Sequence, residues 1–227
     1  MFSLDGIFKG IRIPAHFGCD EYEDSSFTVD EFKEQFEERK DITIYNGVTK
    51  CVLVFDNDNK VIKIPFGGFF AAAENVDDEN EFIWFTEADD INGGSYWNYC
   101  ENELMKYENA VDAGFGEFFA ETEYCTMIDG TPIYKQEKCV AISCGGTPKN
   151  ELSDNSKTVY KSNEDYQNSY INSDWVRAAI DWYGASRVLD FIHYIEDNNI
   201  YDLHNGNIGF STWDGRPVLI DWAGYRD

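Results

Sequence analysis

Basic residues are scarce in this 227-residue sequence, and features that mark several common protein classes are missing. Lysine and arginine number 18 against 43 aspartates and glutamates, which gives a net charge of −25. Such a surface repels DNA, RNA and anionic membranes, so we predict neither direct nucleic-acid binding nor membrane association. The charge either serves solubility or attracts a basic protein partner by imitating a nucleic acid.

Cysteine and histidine are too sparse to form a recognisable metal site. The six cysteines include no Cys-x-x-Cys pair, and the three histidines are scattered along the chain. We therefore predict reduced, packed thiols. No apolar run approaches the length of a membrane span, and the first residues lack the long apolar stretch of a signal peptide. Together these absences predict a cytoplasmic protein.

The sequence does contain enough apolar material for a globular core. Apolar residues make up 43% of the chain and aromatic residues 16%. The length fits one domain, or one domain with appendages. We divide the sequence into an N-terminal extension with a short helix, residues 1–40, a β-rich segment, residues 41–144, and a segment that begins as a connector and continues as helices and loops, residues 145–227.

The order of predicted elements indicates an α+β fold. Alternating apolar residues between turn signals predict strands over 42–46, 51–55, 61–65, 118–127, 133–139 and 217–220, with 140–144 as a continuation of the fifth strand. Helical spacing predicts helices over 29–39 and 96–113, and two more that begin at caps on Ser173 and Ser186. Residues 67–95 form an acidic insertion with many aromatics, and residues 145–170 form a polar connector with little core.

The most specific motif lies near the C-terminus. Asp202-Leu-His-Asn-Gly-Asn207 is followed, fourteen residues after Asn207, by Asp221 behind an apolar strand. The motif offers two carboxylates and an amide, and oxygen atoms of these kinds are the ligands that Mg²⁺ prefers. His204 lies inside the motif, where a structural hydrogen-bonding role is the more common one.

These two loops resemble the catalytic and metal-binding loops of the protein-kinase-like superfamily. The form is similar to that of aminoglycoside phosphotransferases and of short kinase-like proteins of bacteriophages, and the resemblance covers roughly residues 42–223. It implies a two-lobed fold with a small antiparallel β N-lobe carrying one helix and a truncated helical C-lobe. It also implies ATP and Mg²⁺ as cofactors, with Asp202 orienting the acceptor hydroxyl and Asn207 and Asp221 holding the metal.

The resemblance extends to a lysine on the third predicted strand. Lys63 corresponds to the lysine that contacts the nucleotide phosphates and pairs with a glutamate on the following helix. Glu103 is the preferred partner because it lies near the apolar stripe of helix 96–113, and Glu101 is the competitor. A lysine in an otherwise apolar strand costs free energy unless it is paired.

Two further nucleotide contacts follow from position in the resemblance. Gly47, Thr49 and Lys50 would form the turn over the phosphates, which backbone N–H groups and the Lys50 charge could cradle. This turn is much shorter than the glycine-rich loop of a protein kinase. Glu137 and Cys139 lie where the backbone would meet adenine.

The sequence departs from the family pattern at three places. Ile200 and Tyr201 replace the usual His and Arg before the catalytic Asp, Asp221-Trp-Ala replaces Asp-Phe-Gly, and the chain ends at Asp227. Two functions therefore stay open. One is an ATP- and Mg²⁺-dependent phosphotransferase with an unknown hydroxyl acceptor, of which a sugar or antibiotic kinase is a variant. The other is a catalytically inactive, acidic binding protein that acts on a basic host protein in the host cytoplasm.

Overall fold

The computed structural model describes residues 4–13, 29–46, 50–65, 69–71, 83–85, 99–128 and 131–222. In these ranges the chain is α+β with antiparallel sheets and several helices, as predicted. The helices are α1 (Leu4–Phe8), α2 (Val29–Glu34), α3 (Tyr99–Asp112), α4 (Asp154–Ser162), α5 (Glu164–Asn168), α6 (Ser173–Tyr183) and α7 (Ala185–Asp197). The strands are β1 (Ile42–Asn46), β2 (Lys50–Phe55), β3 (Lys60–Pro65), β4 (Phe69–Ala71), β5 (Ile83–Phe85), β6 (Thr122–Ile128), β7 (Thr131–Glu137), β8 (Cys139–Ala141), β9 (Ile208–Ser211) and β10 (Pro217–Leu219).

The chain divides into two compact units, each with its own apolar core. The first unit contains Met1–Glu101 and Glu123–Lys135, and the second contains Asn102–Thr122 and Gln136–Asp227. This division differs from the predicted boundary at residue 144. Most of α3 groups with the second unit because Ala110, on that helix, is buried in the second core. None of the helices within the described residues is both long enough and apolar enough to cross a membrane.

The first unit is built on a five-stranded sheet in the order β1-β2-β3-β7-β6. Its first three strands are antiparallel and match the predicted ones to within one residue at each end, because alternating apolar residues such as Cys51 and Leu53 face the core. The extension, residues 1–40, was predicted with one short helix at 29–39, but it also contains α1, whose Ile7 and Phe8 are buried in the same core. Helix α2 begins at Val29, as predicted, but ends at Glu34, earlier than residue 39.

The acidic insertion is described only at two short strands. β4 and β5 pair antiparallel, with Phe69 opposite Phe85 and Ala71 opposite Ile83. The rest of residues 67–95 lies outside the described ranges.

The second unit combines a three-stranded sheet, in the order β10-β9-β8, with the helix pair α6 and α7. Its core contains two rings stacked at 4.0 Å between centroids, Phe118 and Phe191. Two strand predictions were wrong at their ends. The strand predicted to begin at residue 118 begins at Thr122, because Gly116–Phe118 forms a 3₁₀ turn. The strand predicted over 133–139 ends at Glu137, and its proposed continuation ends at Ala141 in the other sheet, before the 3₁₀ turn Ile142–Cys144.

The predicted connector, residues 145–170, contains two helices and part of the core. Helix α4 is capped by the Ser153 side chain, and helix α5 by Asn163. Ser156 and Tyr166 are buried, and the Tyr166 hydroxyl donates to the carbonyl of Ala185 at 2.6 Å. The prediction of a connector with little core was wrong because most residues of this stretch are polar. Its few apolar residues pack against helices that are distant in the sequence.

The two helices predicted to follow the connector exist, but their caps were misplaced. Asn172, and not Ser173, caps α6 by accepting from the N–H groups of Asp174 and Trp175. Helix α7 begins before Ser186 and has no side-chain cap, since Gly184 stands at that position with φ +91°. Glycine is the residue that adopts this backbone conformation without strain.

Candidate functional site

The loop that carries Asp202 begins where α7 ends. Asn199 has φ +51°, a left-handed conformation that Asn tolerates, and the Ile200 N–H donates to the Ile195 carbonyl at 2.9 Å. Ile200 and Leu203 are buried, whereas the Asp202 side chain is 42% exposed. Asp202 has φ +63°, a conformation that costs a residue other than glycine about 1–3 kcal/mol. The two buried neighbours thus hold Asp202 in a strained backbone with its carboxylate accessible.

Asn207 is oriented by its bonds to Asp202. Its Nδ2 donates to the backbone carbonyl of Asp202 at 2.7 Å and to the carboxylate Oδ2 at 3.2 Å. Two acceptors on this side identify the facing atom as the amide nitrogen. The amide oxygen Oδ1 therefore points away from Asp202, and it accepts no hydrogen bond from the described residues.

Asp221 joins the same site through the backbone. The Asn207 carbonyl accepts from the N–H groups of Ile220 at 2.7 Å and Asp221 at 3.1 Å. On the other side of Asp221, the buried Trp222 donates its indole N–H to the carbonyl of Glu103 at 3.0 Å. Asp221 is thus held between two fixed neighbours, and three residues predicted to act together lie together in the second unit.

His204 stabilises the loop through a hydrogen bond within it. Its Nδ1 accepts from the Gly206 N–H at 2.9 Å, and its Nε2 lies 3.8 Å from Oδ1 of Asp202. Because Nδ1 is an acceptor, the neutral ring carries its proton on Nε2, which faces the carboxylate. A Cβ at position 206 would lie 2.7 Å from the imidazole Cε1, so glycine lets the ring pack against the turn.

The donors at this site fit Mg²⁺ better than a transition metal. Within the described part of the chain, no three His, Cys, Asp or Glu side chains cluster in a way that could hold a metal. Asn207 and Asp221 carry an amide oxygen and a carboxylate, and their backbones are joined by the hydrogen bond from the Asp221 N–H to the Asn207 carbonyl. Mg²⁺ is usually held by one or two carboxylates, with phosphates and waters completing its octahedron. A magnesium ion that arrives with a nucleotide is therefore compatible with these residues.

The predicted lysines belong to the first unit. Lys50 and Lys63 are 6% and 3% exposed, and Lys63 stands opposite Val52 in the β2–β3 ladder. The two acids weighed as partners for Lys63 differ in burial, since Glu103 is fully buried and Glu101 is exposed. The phosphate contact of Lys63 and its pairing with Glu103 stay predictions. Gly47 and Thr49 lie outside the described residues.

Glu137 is held by its side chain as well as by its backbone. Its carboxylate accepts from the Arg216 guanidinium at 2.6 and 2.5 Å and from the Ser211 hydroxyl at 2.5 Å. Its backbone N–H donates to the carbonyl of Glu121 at 2.8 Å. Burial acts to lower the pKa of Arg216, but the Glu137 carboxylate outweighs burial and raises it. Arg216 is therefore held in its charged form beside this carboxylate.

Cys139 begins an outer strand of the three-stranded sheet. It stands opposite Ser211, and the preceding carbonyl of Lys138 accepts from the Thr212 N–H at 3.0 Å. Antiparallel ladders alternate between bonded and non-bonded pairs, so the backbone groups of Cys139 point away from β9. This orientation is compatible with the predicted contact to a nucleobase edge, which stays a prediction.

Comparison with known proteins does not assign a family or a function to this chain. No family model matches this chain, and no curated protein or solved structure is significantly similar to it. The kinase-like interpretation therefore depends on the residues and their geometry.

Sequence reasoning passed over several residues that fix the site. The Asn205 carbonyl accepts from the Ser143 N–H at 2.8 Å, and its side-chain oxygen accepts from Asn172 at 3.1 Å. Arg216 was likewise not singled out. Its signal was an arginine directly after the Asp214-Gly215 turn pair, between two apolar strands of an acidic chain.

Proposed function

We propose that this chain is a kinase-like protein that binds Mg-ATP and transfers a phosphoryl group to the hydroxyl of an unknown acceptor. The observation that supports this most is the orientation of Asn207. Its amide nitrogen is turned toward Asp202, its amide oxygen is turned away, and its carbonyl is joined to Asp221. Asn207 thereby contacts the proposed catalytic carboxylate through its side-chain amide and the backbone of the proposed metal ligand Asp221 through its main-chain carbonyl.

Catalysis of phosphoryl transfer consists mostly of positioning and charge neutralisation. Each residue of the site would have one of these roles. Asp202 would accept or orient the proton of the attacking hydroxyl through its exposed carboxylate. Asn207 would fix that carboxylate through Nδ2 and offer Oδ1 to the metal, and Asp221 would supply the second ligand. When bound, ATP would supply the phosphoryl group, and the Mg²⁺ that accompanies it would neutralise part of the phosphate charge.

The overall charge makes this a demanding site for a nucleotide. A net charge of −25 repels ATP, so local positive groups have to offset the surrounding field. Lys63 is the proposed phosphate contact in the first unit, and Lys50 a second one. The kinase-like two-lobed fold implied by the resemblance is part of the same proposal.

Thermal unfolding with millimolar Mg-ATP tests the proposal. A nucleotide at 100 times its dissociation constant stabilises the folded state by about 2.7 kcal/mol, which for a chain of this size raises Tm by about 5–10 °C. We expect Asp221→Asn to lose most of this shift. Asp202→Asn should keep the shift and lose about 100-fold or more in ATP turnover, since it removes the proton acceptor and not a metal ligand.

The control is Asp197→Asn, an exposed change at the end of α7. It should leave both the nucleotide-dependent shift and the turnover as they are in the wild type. A wild-type chain that is not stabilised at millimolar Mg-ATP would contradict the proposal.

A further inference from the structure

The turn between β9 and β10, residues 212–216, is hydrogen-bonded to the short segment 137–139. The N–H and the hydroxyl of Thr212 both donate to the carbonyl of Lys138, at 3.0 and 2.8 Å. The Arg216 guanidinium donates to both carboxylate oxygens of Glu137, at 2.6 and 2.5 Å. Four hydrogen bonds from one turn thus converge on two consecutive residues.

Arg216 also connects this turn to a third part of the chain. It donates to the carbonyl of Glu117 at 3.3 Å and to that of Phe119 at 3.5 Å, around the 3₁₀ turn Gly116–Phe118. Its side chain is only 18% exposed, and that of Glu137 is 8% exposed. A planar guanidinium with five donors can make this set of contacts, whereas a lysine ammonium cannot.

These hydrogen bonds involve the segment, 137–139, whose backbone is predicted to contact the nucleobase. Recognition of a nucleobase by backbone groups depends on the orientation of a few peptide units, and hydrogen bonds weaken steeply when they are misaligned. Thr212 bonds the Lys138 carbonyl directly, and Arg216 acts on the same segment through the Glu137 side chain, so neither residue needs to contact a base to affect the orientation of this backbone.

We propose that Arg216 and Thr212 are positioning residues that fix the backbone of segment 137–139 for contact with the nucleobase of the bound nucleotide. This inference rests on the proposed function. It predicts that weakening the turn lowers affinity for the base-bearing part of the ligand and leaves affinity for the phosphates unchanged. A purely structural role would lower both affinities together or neither.

Two ligands separate these cases in calorimetric titrations of the full chain with Mg²⁺. One is a non-hydrolysable ATP analogue, and the other is tripolyphosphate, which has the phosphates without ribose or base. Thr212→Val removes one hydroxyl donor and is matched by Thr212→Ser, which keeps it. One lost hydrogen bond predicts an affinity for the ATP analogue that is about 2- to 10-fold lower in Thr212→Val, with tripolyphosphate affinity changed by less than about twofold.

Arg216→Lys is the stronger test, because it keeps the positive charge and removes the bidentate contact. We expect a loss of about tenfold or more in affinity for the ATP analogue. If this variant does not fold, the Thr212 pair still decides the question. Equal losses for both ligands, or no loss in Thr212→Val, would overturn the inference. A wild-type chain that binds neither ligand would instead contradict the proposed function itself, and the inference would fall with it.

Discussion

Single residues determine how closely the strands of the second unit approach. Gly209 stands opposite Ala141 in the β8–β9 ladder, and a Cβ there would lie 2.1 Å from the carbonyl oxygen of Val140 and 2.8 Å from the Cα of Ala141. The Gly209 carbonyl also accepts from the Trp175 indole N–H at 3.1 Å. This glycine is therefore required for close approach of two backbones, directly after the proposed metal-site loop.

We predict that Gly209→Ala lowers the free energy of unfolding by about 3 kcal/mol, at the upper end of the usual cost of overpacking. The added methyl group meets backbone atoms, which cannot rotate away. Urea unfolding followed by tryptophan fluorescence measures the change.

Gly206→Ala is the matched control. There the added methyl group meets the end of the His204 side chain, which is 62% exposed and able to rotate. We expect a loss within about 1 kcal/mol. Equal losses at the two positions would show that backbone contact at Gly209 does not limit stability.

Helices α4 and α6 are joined by one carboxylate. Asp181, on α6, accepts from the Ser153 N–H at 2.9 Å, the Ser153 hydroxyl at 2.5 Å and the Ser156 hydroxyl at 3.0 Å. Ser153 in turn caps α4 by accepting from the Ser156 N–H at 2.9 Å. This contact explains how a stretch that reads as a polar connector forms an ordered helix.

The Asp181 contact should depend on pH. Partial burial acts to raise the pKa of Asp181, but hydrogen bonds from Ser153 and Ser156 and the charge of Arg177 outweigh burial and lower it. A carboxyl whose pKa is lower in the folded state stabilises the fold above its unfolded pKa, near 3.9. That contribution is lost as the pH falls through the folded value.

We therefore predict that Asp181→Asn lowers the free energy of unfolding by about 1 kcal/mol at neutral pH. The difference from wild type should shrink as the pH falls below about 4, where the unfolded carboxyl binds a proton, and it should be lost once the pH falls through the lower folded pKa. Urea unfolding at a series of pH values measures it. Asp190→Asn, an exposed change within α7, is the control and should show no such pH-dependent loss. A constant difference for Asp181→Asn across pH would contradict the role of charge.

At the scale of the whole molecule, the net charge of −25 affects both stability and partners. Like charges repel one another in the compact state, and salt screens this repulsion. The same charge underlies the alternative function, a catalytically inactive binding protein for a basic partner, which stays a prediction. Separating general screening from specific magnesium binding helps to decide between the two functions.

We predict that Tm rises as NaCl is raised from about 10 mM to 150 mM, where the Debye length falls from about 30 to 8 Å. With ATP present, Mg²⁺ should raise Tm further than NaCl at equal ionic strength. Asp221→Asn should lose this extra rise and keep the NaCl effect. If Mg²⁺ and NaCl act equally on the wild-type chain, charge screening alone accounts for the stabilisation.

The parts of the fold that were predictable are those governed by neighbours in sequence. Strands β1, β2 and β3 follow from alternating apolar residues between turns, and α3 follows from apolar residues at helical spacing. Helices α4 and α5 were missed because their buried residues contact partners far away in the sequence. The start of α6 was misplaced because Asn172 and Ser173 are both good caps, and only the backbone shows which of them accepts the N–H groups.

The residues of the candidate site were named from the sequence, but the residues that hold them in place through hydrogen bonds were not. Asp202, Asn207 and Asp221 were found from spacing, and the structure brings them together in one unit. Asn205 left no pattern, and the signal of Arg216 was limited to its place after the Asp214-Gly215 turn, because the partners of both residues lie far away in the sequence.

The sequence by itself determined the α+β class, the antiparallel strands of the first sheet and the proximity of Asp202 to Asn207. These features depend on residues a few positions apart, where periodicity and turn chemistry act. Only the tertiary structure decided which way the Asn207 amide points and that its carbonyl receives the Asp221 N–H. It alone also joined Arg216 to Glu137, 79 residues away, because such a contact is specified by the packing of the whole unit and by no local pattern.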